Sequence, residues 1–213
     1  MSIKIEYIVP PSVEQWQMAI RGMRNAFNSW DKSDSFATTA EVPEIFIGGA
    51  DLALMRKLAK AGSDHRKFLR MLPVVMDVTA PTFFDAEFDT YKVATVRNSC
   101  SFMHRGCAKP FTLEDFSVYG EHDREAIEAA VVRLNALREK YLATKDDNVF
   151  LQIRSILPSG YNYRFTWSAN YEVLWNIYRA RKNHRLPEWR EFCETIVTAI
   201  PYFKEIFEIG GGA

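Results

Sequence analysis

Three short runs of β-branched and aromatic residues punctuate the chain, and each is followed by longer stretches of helical periodicity. "IKIEYIV", "PVVMDVTA" and "YRFTWSA" alternate apolar and polar side chains, the two-residue repeat of a strand with one buried face. Pro10 and Pro11 end the first run, and Ser12 is placed to cap a helix with Glu14 in its first turn, ending near residue 25. Further helices are expected over 51–61 with Gly62 as C-cap, over 64–72, and after Pro81, read as the first helical residue. "GEHDREAIEAAVVRLNALREKYLAT" is the clearest helix, since Ile127, Val131, Leu134, Leu137 and Tyr141 fall on one stripe. Asp146 or Asp147 caps the next helix, which stops at Pro158, and two more run over 172–182 and 188–200. Strand, helices, strand, helices, strand, helices predicts a mixed α/β or α+β chain. The polar stretch over 28–49 reads as a loop, long enough to suggest a functional or mobile segment.

A chain of 213 residues suits one domain, taken as 1–213, with room for a sizeable core. Lys and Arg number 27, as do Asp and Glu, so net charge gives no global case for nucleic acid or an anionic membrane. Cys100, Cys107 and Cys193 are odd in number and form no CxxC, which argues against a disulfide framework or structural zinc and for a reducing compartment. The N-terminus has no long apolar core, and no run approaches the ~20 apolar residues of a membrane helix. A cytoplasmic protein is expected. His65, His104, His122 and His184 have no ligand spacing, so no metal is expected.

Three constellations are candidates for chemistry. Arg154 falls near a helix end just before Leu157-Pro158, and Arg181 at the end of the 172–182 helix; two guanidinium groups from separate helices can clamp a phosphate. The plainer alternative is two solvated helix-end cations. "SDHRKFLR" crowds His65, Arg66, Lys67 and Arg70 into one short helix with Arg66 and Arg70 on one face, suited to a pyrophosphate or simply to solvent. "EFDTYKVATVRNSCSFMHRGC" is rich in polar side chains and suits nucleotide recognition. Its Cys100 invites a nucleophile reading with His104, against which stands the usual fate of a lone Cys as a small core residue.

The segment "IRSILPSGYNYRFTWSANYEVLWNIYRARKNHRLPEWREF" resembles the C-terminal half of the flavin-dependent thymidylate synthases. That family carries an Arg three residues before Leu-Pro, an aromatic strand ending in a Trp-Thr-x-Asn-like turn, and a helix with Leu and Asn followed by an Arg. Arg154, Leu157-Pro158, Trp167, Ser168, Asn170, Leu174, Asn176 and Arg181 match these positions. Upstream, "KLAKAGSDHRKFLRMLPVVMDVTAP" resembles the family's helix and following strand, and "TYKVATVRNSCSFMH" falls at its signature RHRxxSxNxxSxRY. Thr90, Tyr91 and Lys92 stand at the RHR positions and Thr95 at the first Ser. With one extra residue, Asn98 meets the Asn, Ser101 the second Ser, and Met103 and His104 the Arg-Tyr. Only Lys92 keeps a charge of the RHR set, and Glu172 stands where the family often has a basic residue near the flavin.

The resemblance implies an α+β fold, with a central, mostly antiparallel sheet flanked by helices, and a methyltransferase acting as a homotetramer with FAD at subunit contacts. It implies dUMP as substrate, methylenetetrahydrofolate as carbon donor and NADPH as reductant. Arg154 and Arg181 would hold the dUMP phosphate, and Ser101 and Glu87 would lie by the pyrimidine, with Ser101 and Arg181 the catalytic candidates. Thr90, Tyr91, Lys92 and Asn98 would line the flavin, with His65 and Arg70 reaching its phosphates, and Asn170 and Asn176 contacting it or ordering the adjacent helix. Two alternatives follow from the altered signature: a flavin- and folate-dependent pyrimidine nucleotide hydroxymethylase, and a non-catalytic nucleotide-binding or assembly protein that lost the flavin.

Overall fold

A computed structural model describes residues 3–210, with only the backbone of His104 and Arg105. In chain order its elements are β1 (Lys4–Val9), α1 (Val13–Asn25), β2 (Phe36–Ala37), β3 (Ile45–Phe46), α2 (Gly49–Lys60), β4 (Pro73–Pro81), α3 (Thr82–Phe88) and β5 (Val96–Ser99). There follow α4 (Phe102–Arg105), α5 (Glu121–Thr144), α6 (Asp147–Ile156), β6 (Asn162–Asn170), α7 (Tyr171–Arg181), α8 (Pro187–Ala199) and α9 (Phe203–Phe207). One sheet has the order β1-β4-β6-β5, and β2 and β3 form a separate antiparallel pair. The class is mixed helix and antiparallel sheet, as expected. The chain divides into two compact units, one of residues 1–4, 77–90 and 97–166, the other of 5–76, 91–96 and 167–213.

In the first unit, α5 and α6 build the core. Leu134 and Ile153 are fully buried, and Ile127, Leu137, Val149 and Phe150 nearly so, with Val131 and Tyr141 packed against them. Burying one such aliphatic side chain contributes about 1.5–3 kcal/mol. Lys145 closes α5 in the left-handed region, and the Asp146 carboxylate accepts from Asn148 N at 2.8 Å to start α6. The buried Arg138 donates to the Cys107 carbonyl, which ties α5 to the segment after α4.

In the second unit, Ser12 caps α1 reciprocally with Gln15. Trp16, Tyr171 and Tyr202 meet edge to face, and Trp167, Trp189, Phe192 and Phe203 are buried around α7, α8 and α9. The 28–49 stretch is more ordered than a loop. It holds a 3-10 turn at Trp30–Lys32 and the β2–β3 pair, and its first half is pinned to the buried Asp51. Asp51 accepts from Arg24 Nε at 2.6 Å and from the hydroxyls of Ser33 and Ser35, both at 2.7 Å. Burial pushes the Asp51 carboxyl up, but these bonds outweigh it and leave it below the usual carboxylate range.

Other boundaries also differ from expectation. Pro81 is the last residue of β4 and the N-cap of α3, with its backbone extended, rather than the first helical residue. Residues 64–72 hold a 3-10 helix, Lys67–Met71, instead of an α-helix. Gly62 lies one residue beyond the C-cap Ala61, at φ +103°, which only glycine adopts freely.

Candidate functional site

The first unit contains a cavity of about 340 Å³ that brings together two of the expected residues, Arg154 and Ser101. The last turn of α6 presents Arg154, and the guanidinium lies 4.8 Å from the centroid of the Phe102 ring. Among the described residues no carboxylate pairs with Arg154. A cation held against an aromatic face, with its N–H groups left over, is prepared for an incoming anion. Thr82, Asp85, Tyr161 and Tyr163 also line this cavity. Thr82 donates its hydroxyl hydrogen to the Ser159 carbonyl at 2.7 Å. Burial pushes the Tyr161 phenol up to about 12, so its proton stays in place at neutral pH.

Asp85 lines the cavity, whereas Glu87, two residues on, does not. Helical geometry explains the difference, because residues two apart do not share a face. The Glu87 carbonyl instead accepts from the Thr90 hydroxyl at 2.8 Å. Asp85 forms an ion pair with Arg97, whose guanidinium stacks 3.9 Å from the Phe165 ring and donates to Asp89 at 2.8 Å. Burial raises the Asp85 carboxyl above its ordinary value, with Arg97 opposing. A second cavity of about 400 Å³ shares Ser101, Tyr161 and Tyr163 with the first and is also lined by Cys100 and Lys109. Cys100 is exposed while Cys107 and Cys193 are buried, and the Cys193 thiol is pushed up to about 12 by burial. The His104 side chain, invoked beside Cys100, lies outside the described residues.

Arg181 belongs to the second unit, where aromatic rings fix it. Its Nε donates to the Tyr91 hydroxyl at 3.0 Å, and its guanidinium lies 4.7 Å from the Trp189 ring centroid. Its Nη1 is 2.9 Å from His184 Nε2. Tyr91 meets Trp189 edge to face at 5.6 Å, so the Tyr91 side chain, expected along a flavin, orients Arg181. Ala94 at φ +59° turns the chain back, and Thr95 donates to the Tyr91 carbonyl at 2.9 Å to hold that turn.

Glu172 gathers the basic segment. Its buried carboxylate accepts from Arg66 Nε at 3.0 Å and from Arg70 Nε. Burial pushes the Glu172 carboxyl up, but the bonds from Arg70 and Arg66 outweigh it and leave it below the usual range. Asn176 lies 3.5 Å from Arg66 Nη2, and the buried Asn170 caps α7 by accepting from Val173 N at 3.1 Å. His65, Lys92 and Asn98 are exposed. Sequence reasoning missed Asp85 and the role of Tyr91. The i, i+3 spacing of Thr82 and Asp85 was the available signal for the first, and nothing in the local sequence marks the second.

No known family description and no curated protein matches the sequence. Solved structures do match. Thymidylate synthase X (ThyX) from Helicobacter pylori, crystallised with FAD and dUMP, superimposes with a TM-score of 0.69 at 16% identity, covering 97% of this chain and 96% of that one. A second structure of the same H. pylori enzyme, also with FAD and dUMP, gives 0.69 at 15% identity. The UMP/dUMP methylase PolB from Streptomyces cacaoi, bound with 5-Br dUMP, gives 0.64 at 16% identity, covering 97% and 94%. Over 97% of its length the chain shares the fold of these enzymes. Among the described residues no helix is long and apolar enough to cross a membrane.

Proposed function

We propose that this chain is a flavin-dependent enzyme that modifies a pyrimidine nucleotide, one thymidylate-synthase-like domain in which Arg154 receives the phosphate. One observation carries the reading: a chain with the ThyX fold over 97% of its length has a guanidinium without a carboxylate partner, beside Ser101, in a cavity. The reaction proposed is reductive methylation of dUMP to dTMP, with methylenetetrahydrofolate as carbon donor and NADPH as reductant. Homotetramer assembly and a cytoplasmic location belong to the same proposal.

The residues present fit FAD by their chemistry. Arg70 keeps a half-exposed guanidinium beyond its bond to Glu172, and His65 and Lys92 are exposed cations for phosphate oxygens. Thr90, Tyr91, Asn98, Asn170 and Asn176 complete the proposed cofactor set. FAD supplies the reducing equivalents for the transferred carbon. The chain's own residues bind and orient: Arg154 and Arg181 neutralise phosphate, and Ser101 and the Tyr161 hydroxyl offer hydrogen bonds to the base or sugar. Glu87 lies outside the lining of this cavity, and only the resemblance supports a place for it near the pyrimidine.

Glu172 favours a second reading, a nucleotide-binding protein without flavin, because its carboxylate already neutralises part of the charge that Arg66 and Arg70 would offer a cofactor. The absorbance spectrum of the purified chain with added FAD, followed by turnover with dUMP, methylenetetrahydrofolate and NADPH, separates the two. Flavin binding and dUMP-dependent NADPH oxidation are expected. A chain that binds no flavin at any concentration contradicts the enzyme reading.

A further inference from the structure

Arg154 and Tyr161 share one platform. Phe102 holds the Arg154 guanidinium 4.8 Å from its ring centroid and meets the Tyr161 ring edge to face at 5.6 Å. The two groups therefore lie within about 10 Å of each other, the reach of one mononucleotide, on the wall of the same cavity. Phe111 at 6.3 Å and Phe116 at 5.6 Å fix the Tyr161 ring from further sides. Yet among the described residues the Tyr161 hydroxyl makes no hydrogen bond. Two other polar groups of this wall are committed within the protein, Thr82 to the Ser159 carbonyl and Asp85 to Arg97. Burial keeps the proton on the Tyr161 phenol, so Tyr161 is a held, neutral donor that lacks an acceptor.

A pyrimidine supplies that acceptor. In a nucleotide O2 lies beside the glycosidic bond, turned towards the sugar, whereas the substituent at position 4 projects from the far edge of the base. That substituent is a carbonyl in uracil and an amine in cytosine. Once a ligand shuts out water, a phenol facing O4 makes its hydrogen bond, and one facing the N4 amine has no acceptor for its proton. We propose that Tyr161 is a specificity-determining residue that donates to O4 of a uracil nucleotide whose phosphate meets Arg154. This inference rests on the reading of the cavity as a pyrimidine nucleotide site and narrows the role of Tyr161 there to one atom of the base.

Calorimetric titration of the full chain, wild type and Tyr161→Phe, with dUMP and with dCMP tests it. The wild type is expected to bind dUMP about fivefold tighter than dCMP. Tyr161→Phe is expected to bind dUMP about fivefold more weakly and dCMP as the wild type does. Its thermal melt should match the wild type, because the lost hydroxyl carries no bond in the fold. A structural defect would instead move both affinities together. Unchanged dUMP affinity in Tyr161→Phe, an equal loss for the two nucleotides, or tighter binding of dCMP by the wild type overturns the O4 assignment and leaves the nucleotide site standing. Binding of neither nucleotide by the wild type overturns both.

Discussion

Arg154 rests on Phe102, guanidinium carbon to ring centroid 4.8 Å, at the C-terminal turn of α6. Phe102 is buried and touches Phe111, Phe150 and Tyr161, so the ring is a fixed platform. Phe102→Leu keeps an apolar side chain and removes the π face. A cation–π contact contributes about 0.5–1 kcal/mol at a partly exposed site, so nucleotide affinity should fall about two- to fivefold. Titration with a nucleotide monophosphate, alongside a thermal melt to monitor folding, reads both effects.

Arg181 depends on Tyr91 in the same way. Tyr91→Phe removes the hydroxyl that accepts from Arg181 Nε and keeps the ring against Trp189. Loss of one hydrogen bond of about 1 kcal/mol should weaken nucleotide binding several-fold. Arg181→Ala should weaken it further while FAD affinity stays largely intact. Unchanged dUMP or dCMP affinity in Arg181→Ala would refute the phosphate role of this residue.

Asp51 makes acid stability informative. Its carboxyl lies below the unfolded value of about 3.9. It therefore contributes stability above that pH, and the contribution is lost as pH falls through the lower folded value. Asp51→Asn should flatten the pH dependence of unfolding free energy below about pH 4 relative to wild type. At pH 7 it should cost about 3–5 kcal/mol, because Arg24 is left buried without its counter-charge. Urea melts at several pH values supply both readings.

Glu172→Gln tests the basic cluster. The buried Arg66 loses a charged acceptor, worth about 1–3 kcal/mol, while the half-exposed Arg70 adds little. With the carboxylate charge gone, FAD should bind more tightly, by fluorescence titration. Weaker FAD binding in a variant that still folds would remove Arg70 from the cofactor set.

Where side-chain period is strong, the sequence anticipates the structure closely. The α5 stripe, the Ser12 cap, the Asp146 cap and the three long strands are local patterns, and local patterns survive folding. The 28–49 stretch is polar along the chain, yet its serines serve a carboxylate more than fifteen positions away, which no window reveals. Arg66 and Arg70 look like a free basic face until α7 brings Glu172 against them. At the site, the resemblance points to Glu87 and the fold turns Asp85 inward, because the start of α3 at Thr82 sets which helical face meets the cavity.

Direct titration of wild-type and Arg154→Ala protein with a pyrimidine nucleoside monophosphate and its unphosphorylated nucleoside bears hardest on the account. A lost charge-assisted phosphate contact corresponds to about 1.5–3 kcal/mol. Arg154→Ala should therefore bind the monophosphate about ten- to a hundredfold more weakly and the nucleoside as before. Equal monophosphate affinity in the two proteins would contradict the assignment of this cavity to a nucleotide.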